Sequence, residues 1–238
     1  MRRPTLEATD HSRADALGEA ESQAEQAYRV LRAAISNLEL QPDELLSEAM
    51  LAQRYGFGRT PVREAVHRLR QDGLVVSIPR RGLVVSSFTG EDVRELYEML
   101  EALDGMAAYL ATERADADGI NRLRDLNEQG ITALARQDYR AWQEYNFAFH
   151  QLLVDLSGNK RMQQAFTLLH DQLKRALLLT LPIRQNQAQS MAEHREMLEA
   201  MARRAPECAR AIAQQHRRRV RQEVLEALSR IPLPRMQY

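Results

Sequence analysis

The sequence predicts a mainly α-helical protein, a winged helix-turn-helix followed by an all-helical antiparallel bundle of six or seven helices. Three observations carry this. Residues 22–73 hold three short stretches of helical periodicity, and two β-rich runs then flank Pro79-Arg80-Arg81-Gly82. From Gly90 onward strand signals vanish, Gly and Pro become sparse, and apolar stripes recur at helical spacing. The chain has 238 residues and 44% hydrophobic residues, room for one large or two small cores and too apolar for general disorder. Its 33 basic and 33 acidic residues cancel, so any affinity for a polyanion must come from a local cluster.

The elements follow in order. Residues 1–21 are polar, mixed in charge and almost without large apolar side chains, and read as a mobile tail. Tyr28, Leu31, Ile35 and Leu38 repeat at helix spacing until Pro42. A second helix runs from about Ser47, its expected N-cap, to Tyr55, and Gly56-Phe57-Gly58 forces a turn. The third opens at Thr60-Pro61, a capping residue followed by a proline whose missing N–H costs nothing there, and ends near Gly73. Leu74–Ile78 and Leu83–Ser87 form a two-stranded hairpin. Six helices then span about 90–114, 117–136, 138–156, 160–181, 186–203 and 206–230, with breaks at Asp116, Asp138, Ser157-Gly158-Asn159, Pro182 and Pro206. Packing them antiparallel buries their stripes. The expected organisation is a tail (1–21), a winged helix-turn-helix (22–88) and a helical unit (90–232).

In the third helix Val62, Ala65, Val66 and Leu69 fall at i, i+3, i+4, i+7 and form a buried face, leaving Arg59, Thr60, Arg63 and His67 outside. Two arginines one turn apart can each present a planar fork to a guanine edge or a phosphate. The helix N-terminus favours phosphate. Arg80, Arg81 and Gly82 make a flexible basic hairpin tip suited to phosphates or the minor groove. Singly, such arginines are an ordinary solvated face; the helix, turn, helix and basic hairpin in this order point to duplex DNA.

These residues also resemble a family. Leu51-Ala52, the run Tyr55-Gly56-Phe57-Gly58-Arg59-Thr60-Pro61-Val62-Arg63-Glu64-Ala65-Val66, Leu69, Asp72-Gly73-Leu74 and Arg81-Gly82 are similar to the GntR family of bacterial transcription regulators. The resemblance covers about residues 25–88. It implies that Arg59 and Arg63 read bases or phosphates, that Thr60 meets the backbone and that Gly82 forms the wing tip. Gly58 departs from the pattern, which has a phosphate-contacting Ser or Thr there.

The helical region carries Asn146 and His150 at i, i+4, on one face of one helix, and His194 and His216 on two others. Each histidine alone reads as a surface or satisfied core residue, and spacing does not bring them together. Their convergence follows from a second resemblance. Asn146-Phe147-Ala148-Phe149-His150, Ser157-Gly158-Asn159, Glu193-His194 and a late His216 resemble the FCD effector domain of the FadR subfamily, with six helices closer to its VanR-like branch. It implies a divalent metal, zinc first with nickel or manganese as alternatives, held by Asn146, His150, His194 and His216 with positions left open. Two departures stand out. Asn146 replaces an aspartate ligand, and Leu100 stands where many members carry an arginine that grips an effector carboxylate. Neutral ligands leave the ion its full charge, so an anionic, chelating organic acid could be held without that arginine; alternatively, both losses mark a vestigial site. His170 reads as a helix-flank residue, and Trp142 and Tyr145 as packing residues.

The expectation is a homodimeric, cytoplasmic transcriptional regulator, a repressor by first choice, that binds a two-fold DNA operator under control of a small anionic metabolite. The alternative is a dimeric DNA-binding protein with no effector. A metal-dependent hydrolase is the remote third; no catalytic residues are assigned, because no nucleophile–base pair, phosphate loop or dinucleotide fingerprint is present. Cys208, the single cysteine, allows no internal disulfide and fits a reducing compartment. The N-terminus lacks a secretory signal, and no apolar run is long enough for a membrane span.

Overall fold

The computed structural model describes residues 22–231. The expected tail and the last positions of the helical unit lie outside them. Helix α1 (Gln23–Ser36) opens on Ser22, whose hydroxyl accepts the Glu25 N–H at 3.1 Å. It stops short of the expected limit at Pro42. Asn37 caps it, Leu38 turns left-handed at φ 61°, and Leu40 is buried from outside the helix. The apolar pattern thus continues after the helix has ended.

Strand β1 (Leu45–Leu46), helix α2 (Glu48–Tyr55), helix α3 (Arg59–Gln71) and strands β2 (Val75–Ile78) and β3 (Gly82–Val85) complete the first unit. Ser47 caps α2 as expected, accepting the Met50 N–H at 3.1 Å, and Gly56 ends it at φ 74°. Two details correct the expectations. Gly58, not Thr60, is the N-cap of α3 and offers no side-chain bond; Thr60 and Pro61 both lie in the first turn. The sheet has three strands, not two, in the order β1-β3-β2, with β3 antiparallel to both neighbours. Leu45 and Leu46 are too few to show alternation. At the hairpin tip Arg80 has φ 64° and Gly82 φ 100°, a conformation that glycine adopts without strain.

Six helices follow among the described residues, each end within two residues of expectation: α4 (Gly90–Arg114), α5 (Ala117–Ala135), α6 (Tyr139–Leu156), α7 (Lys160–Thr180), α8 (Gln187–Ala202) and α9 (Pro206–Leu228). Local chemistry starts them. Thr89 and Asp92 form a reciprocal capping box, Asp116, Asp138 and Asn159 cap with their side chains, and Pro206 sits in a first turn. Helix α4 packs along α9, and Gly105 permits the approach: a Cβ there would lie 2.7 Å from Gln214.

Buried side chains fall into two main clusters. Leu31, Ile35, Leu51, Val62, Leu69 and Val85 fill the first unit, and Tyr97, Leu100, Phe149, Phe166, Leu173 and Val224 the bundle. Each fully buried residue of this size contributes about 1.5–3 kcal/mol. One turn and a half of α7 ties the units together. Asp171 pairs with Arg32, the Gln172 amide donates to the Asp72 carbonyl at 2.9 Å, and Lys174 Nζ donates to Asn37 Oδ1 at 2.7 Å. Arg175 is 2% exposed, donates to the Ser86 carbonyl and lies 5.6 Å from the Phe88 ring centre. Burial alone pulls its pKa down to about 10.

Replacing Arg175 by alanine leaves the Ser86 carbonyl buried without its donor, which costs about 1–3 kcal/mol. We expect a lower urea midpoint and faster amide exchange in β3 and the middle of α7. An exchange pattern identical to wild type would show that this residue does not hold the units together.

Candidate metal centre and nucleic-acid interface

Val62, Ala65, Val66 and Leu69 are at most 5% exposed, so α3 turns Arg59, Thr60, Arg63 and His67 outward, and all four are exposed. Arg80, Arg81 and Gly82 are exposed at the hairpin tip. Nearby arginines are engaged: Arg68 pairs with Glu25 and stacks 3.8 Å over the Tyr28 ring, and Arg54 approaches Glu44 at 3.6 Å. Arg59, Arg63, Arg80 and Arg81 make no ion pair among the described residues. Uncompensated cations on α3 and the wing, in a chain of zero net charge, suit a polyanionic partner.

In the bundle, α6, α8 and α9 bring His150, His194 and His216 together. All are buried, and one ring nitrogen of each lies within 4.8 Å of the others. The ring centres are 4.8 to 5.3 Å apart. His194 stacks flat on Phe149, 4.0 Å between centres with 4° between planes, which sets its orientation. Neither of its nitrogens has a hydrogen-bond partner, and His150 Nε2 and Asn146 Oδ1 are also buried and unpaired.

Two carboxylates stand behind the imidazoles. His216 Nδ1–H donates to Glu193 Oε2 at 2.7 Å, leaving Nε2 as its free base. His150 Nδ1 lies 2.9 Å from Asp104 Oδ2, close enough for an ion pair but not aligned as a hydrogen bond. Each carboxylate is matched by an arginine. Arg217 Nε donates to Asp104 at 2.6 Å, and Arg219 grips Glu193 with two bonds of 2.6 Å. Asp104 and Arg217 were not among the expected site residues, although the sequence carries a signal for both. Asp104 interrupts the α4 stripe of Leu100, Ala107, Ala108 and Ala111, and Arg217 that of Ala213, Val220 and Val224.

Burial, aided by Arg217, pushes the His150 pKa down to about 3; burial also lowers His194 and His216. Burial pushes the carboxyls up, but Arg217 and His150 outweigh it and hold Asp104 well below the usual range. The bonds from His216 and Arg219 likewise hold Glu193 at about 2. All three imidazoles are therefore neutral at pH 7 and able to act as ligands. Several orphaned lone-pair donors facing one point fit a borderline-soft divalent ion, which would satisfy them together. Ideal coordination needs about 3.3 Å between nitrogens, from Zn–N bonds of about 2.0–2.1 Å, so the rings would have to close by up to about 1.5 Å.

The other candidates are distributed as follows. Leu100 is fully buried in the core and offers no charge. His170 is not a flank residue: it is 5% exposed and packs 4.0 Å from Phe147, outside the triad. Trp142 is a packing residue against Ala133 and Met191, yet its Nε1–H has no partner. Cys208 is exposed and free.

In metal-free protein these buried histidines make stability depend on pH. Folded His150 stays neutral to about pH 3, whereas unfolded it protonates near 6.5. The unfolded chain therefore binds more protons between these values, and stability falls as pH is lowered through that window, by about 1.4 kcal/mol per pH unit for each such histidine. The urea midpoint is expected to drop between pH 7.5 and 5. A flat profile would mean that the imidazoles are not buried as neutral bases.

Comparison with known proteins places these features. Residues 95–219 match the FCD domain, and residues 23–85 match the bacterial regulatory proteins of the gntR family. A HTH-type transcriptional regulator from the TAR-I ttuE-ttuC' intergenic region of Agrobacterium vitis is 35% identical over 131 residues, covering 54% of this chain and 77% of that protein. The HTH-type transcriptional regulator YdhC of Bacillus subtilis (strain 168) is 29% identical, covering 78% and 83% of the two chains. Among solved structures, E. coli McbR/YncC superposes with a TM-score of 0.76 at 21% identity, over 87% of this chain and 99% of that one, which shows a common fold.

Proposed function

The chain belongs to the GntR family of transcriptional regulators and carries an FCD domain, and from that premise we propose that it is a metal-dependent, effector-controlled repressor. In this reading residues 22–88 are the DNA-binding module and residues 90–232 the effector and dimerisation module. The observation that carries it is the set of orphaned lone pairs at His150, His194 and Asn146, gathered with His216 around one point. These residues would hold a divalent ion, zinc first with nickel or manganese as alternatives, whose chemistry there is to attract an anionic organic acid. Behind these ligands Asp104 is paired with Arg217, and Arg219 is shared between Glu193 and Glu223.

Helix α7 is suited to pass the signal. Its Leu177 lines the cavity beside the triad, and its Asp171, Gln172, Lys174 and Arg175 hold α1, the end of α3 and the segment after β3. A ligand that prefers one placement of α7 shifts the population of head positions. Two reading heads imply a homodimer on a two-fold operator. On α4, Met99 and Met106 are 57% and 42% exposed and seven residues apart on one face, a seam that a second copy would cover. On α3, Arg59, Thr60, Arg63 and His67 would meet the major groove, and Arg80, Arg81 and Gly82 the neighbouring backbone or minor groove.

Elemental analysis of chelated and zinc-titrated full-length protein tests the metal reading. We expect about one zinc per chain, lost in His194→Ala while the fold is kept; no uptake by the wild-type chain would favour an effector-independent regulator. For the DNA face, Arg63→Ala is expected to cost about 1–3 kcal/mol on the operator and much less on random duplex, as for a base contact. An equal loss on both, measured by fluorescence anisotropy, would assign Arg63 to the phosphates.

A further inference from the structure

Arg184 is an unexplained cation. It lies on the turn between α7 and α8, where Ile183 and Arg184 N–H both bond the Thr180 carbonyl and Gln187 Nε2 holds the Arg184 carbonyl at 2.7 Å. No carboxylate comes within 4.0 Å of its guanidinium among the described residues. Its only polar contacts are at the outer limit, 3.5 Å to Gln143 Oε1 and 3.5 Å to the Leu177 carbonyl, and its Nε is buried without a partner. Burial lowers its pKa, and the nearby Tyr97 and Glu223 only partly offset that.

This guanidinium borders the cavity that His216 and Asn146 also line. Tyr97 Oη, Trp142 Nε1 and Arg217 Nη2 belong to residues of the same wall, and each is buried and unpaired. The residues Tyr97, Trp142 and Arg217 are 1%, 2% and 4% exposed. The cavity wall thus carries several unpaired hydrogen-bond donors together with Asn146 and one of the three imidazoles, His216. As it stands the space is about 10 Å³, enough for one water. Arg184 also borders a surface depression of about 190 Å³ between the α7–α8 turn and α9, which Glu223, Glu226 and Arg230 line as well.

We infer that Arg184 anchors the distal carboxylate of a short dicarboxylic hydroxy acid whose hydroxy-acid end sits at the three histidines. The inference rests on the effector reading above and adds a ligand class to it. One carboxylate answers the triad; a monocarboxylate would leave Arg184, Tyr97 and Trp142 unanswered, whereas a planar carboxylate matches the guanidinium fork. The fully buried Leu100 supplies no competing cation.

Malate and lactate share the hydroxy-acid end and differ in the second carboxylate, which makes them the probes. Titrated calorimetrically into the zinc-loaded full chain, malate is expected to bind at least tenfold tighter than lactate. Arg184→Gln should remove that preference by weakening malate at least tenfold, with lactate affinity, zinc content and thermal midpoint unchanged; Arg184→Lys should recover part of it. Equal binding of the two acids by the wild type, an equal loss of both in the variant, or no binding of either would overturn the assignment. Zinc content read in parallel separates the two readings: a chain that takes no zinc yet binds malate only with Arg184 present retires the metal and keeps the anchor.

Discussion

Three imidazoles packed ring against ring in a helical bundle are tolerated only as neutral bases, and each nitrogen then needs a partner of the right sign. That constraint organises the bundle. It explains why Glu193 stands behind His216 and Asp104 behind His150, since a carboxylate fixes which nitrogen carries the proton. Burying two carboxylates in turn requires Arg217 and Arg219, each matched to one of them. The flat stack of His194 on Phe149 belongs to the same logic, because a ring with no hydrogen bond must be oriented by packing. What the protein itself leaves unanswered is a small set of lone pairs facing inward.

A neighbouring helix, α7, connects the surroundings of this cluster to the DNA-binding end. Helix α7 places Leu177 at the cavity wall and, within two turns, sets Asp171, Gln172, Lys174 and Arg175 against the first unit. Arg175 is the most constrained of these, a buried guanidinium whose acceptor is a backbone carbonyl next to the sheet. Packed interfaces of this kind switch between discrete arrangements rather than bending continuously, so a modest change at Leu177 has a route to α3 and the wing.

Much of this was legible in the sequence because it is written locally. Caps such as Ser47, Thr89, Asp116 and Asn159, and breaks at Pro182 and Pro206, mark helix ends with short-range chemistry. The outward face of α3 follows from four apolar residues at helical spacing. The failures have equally physical causes. Strand β1 has only two residues and exists because β3 offers an edge, which is a tertiary fact. Thr60 resembles a cap, but Gly58 already has the extended backbone that position requires. The carboxylates behind the histidines were hidden for a different reason. Asp104 and His150 lie on helices that meet only in the folded bundle, and no spacing rule joins them.

The substitution at position 146 is best weighed against these partners. An aspartate there would add a third buried carboxylate to a cluster that already holds Asp104 and Glu193, with only Arg217 and Arg219 to balance them. Asn146 keeps an oxygen donor directed into the cavity without that extra charge. The inner layer is then neutral, Arg217 and Arg219 answer the carboxylates behind it, and Arg184 borders the cavity with no carboxylate in direct contact among the described residues. Such a distribution does not describe a site decayed toward hydrophobic packing, which would have filled the void with apolar side chains and dispensed with the buried ions. Within the function proposed above, the remaining electrostatic demand of such a cavity is for an anion.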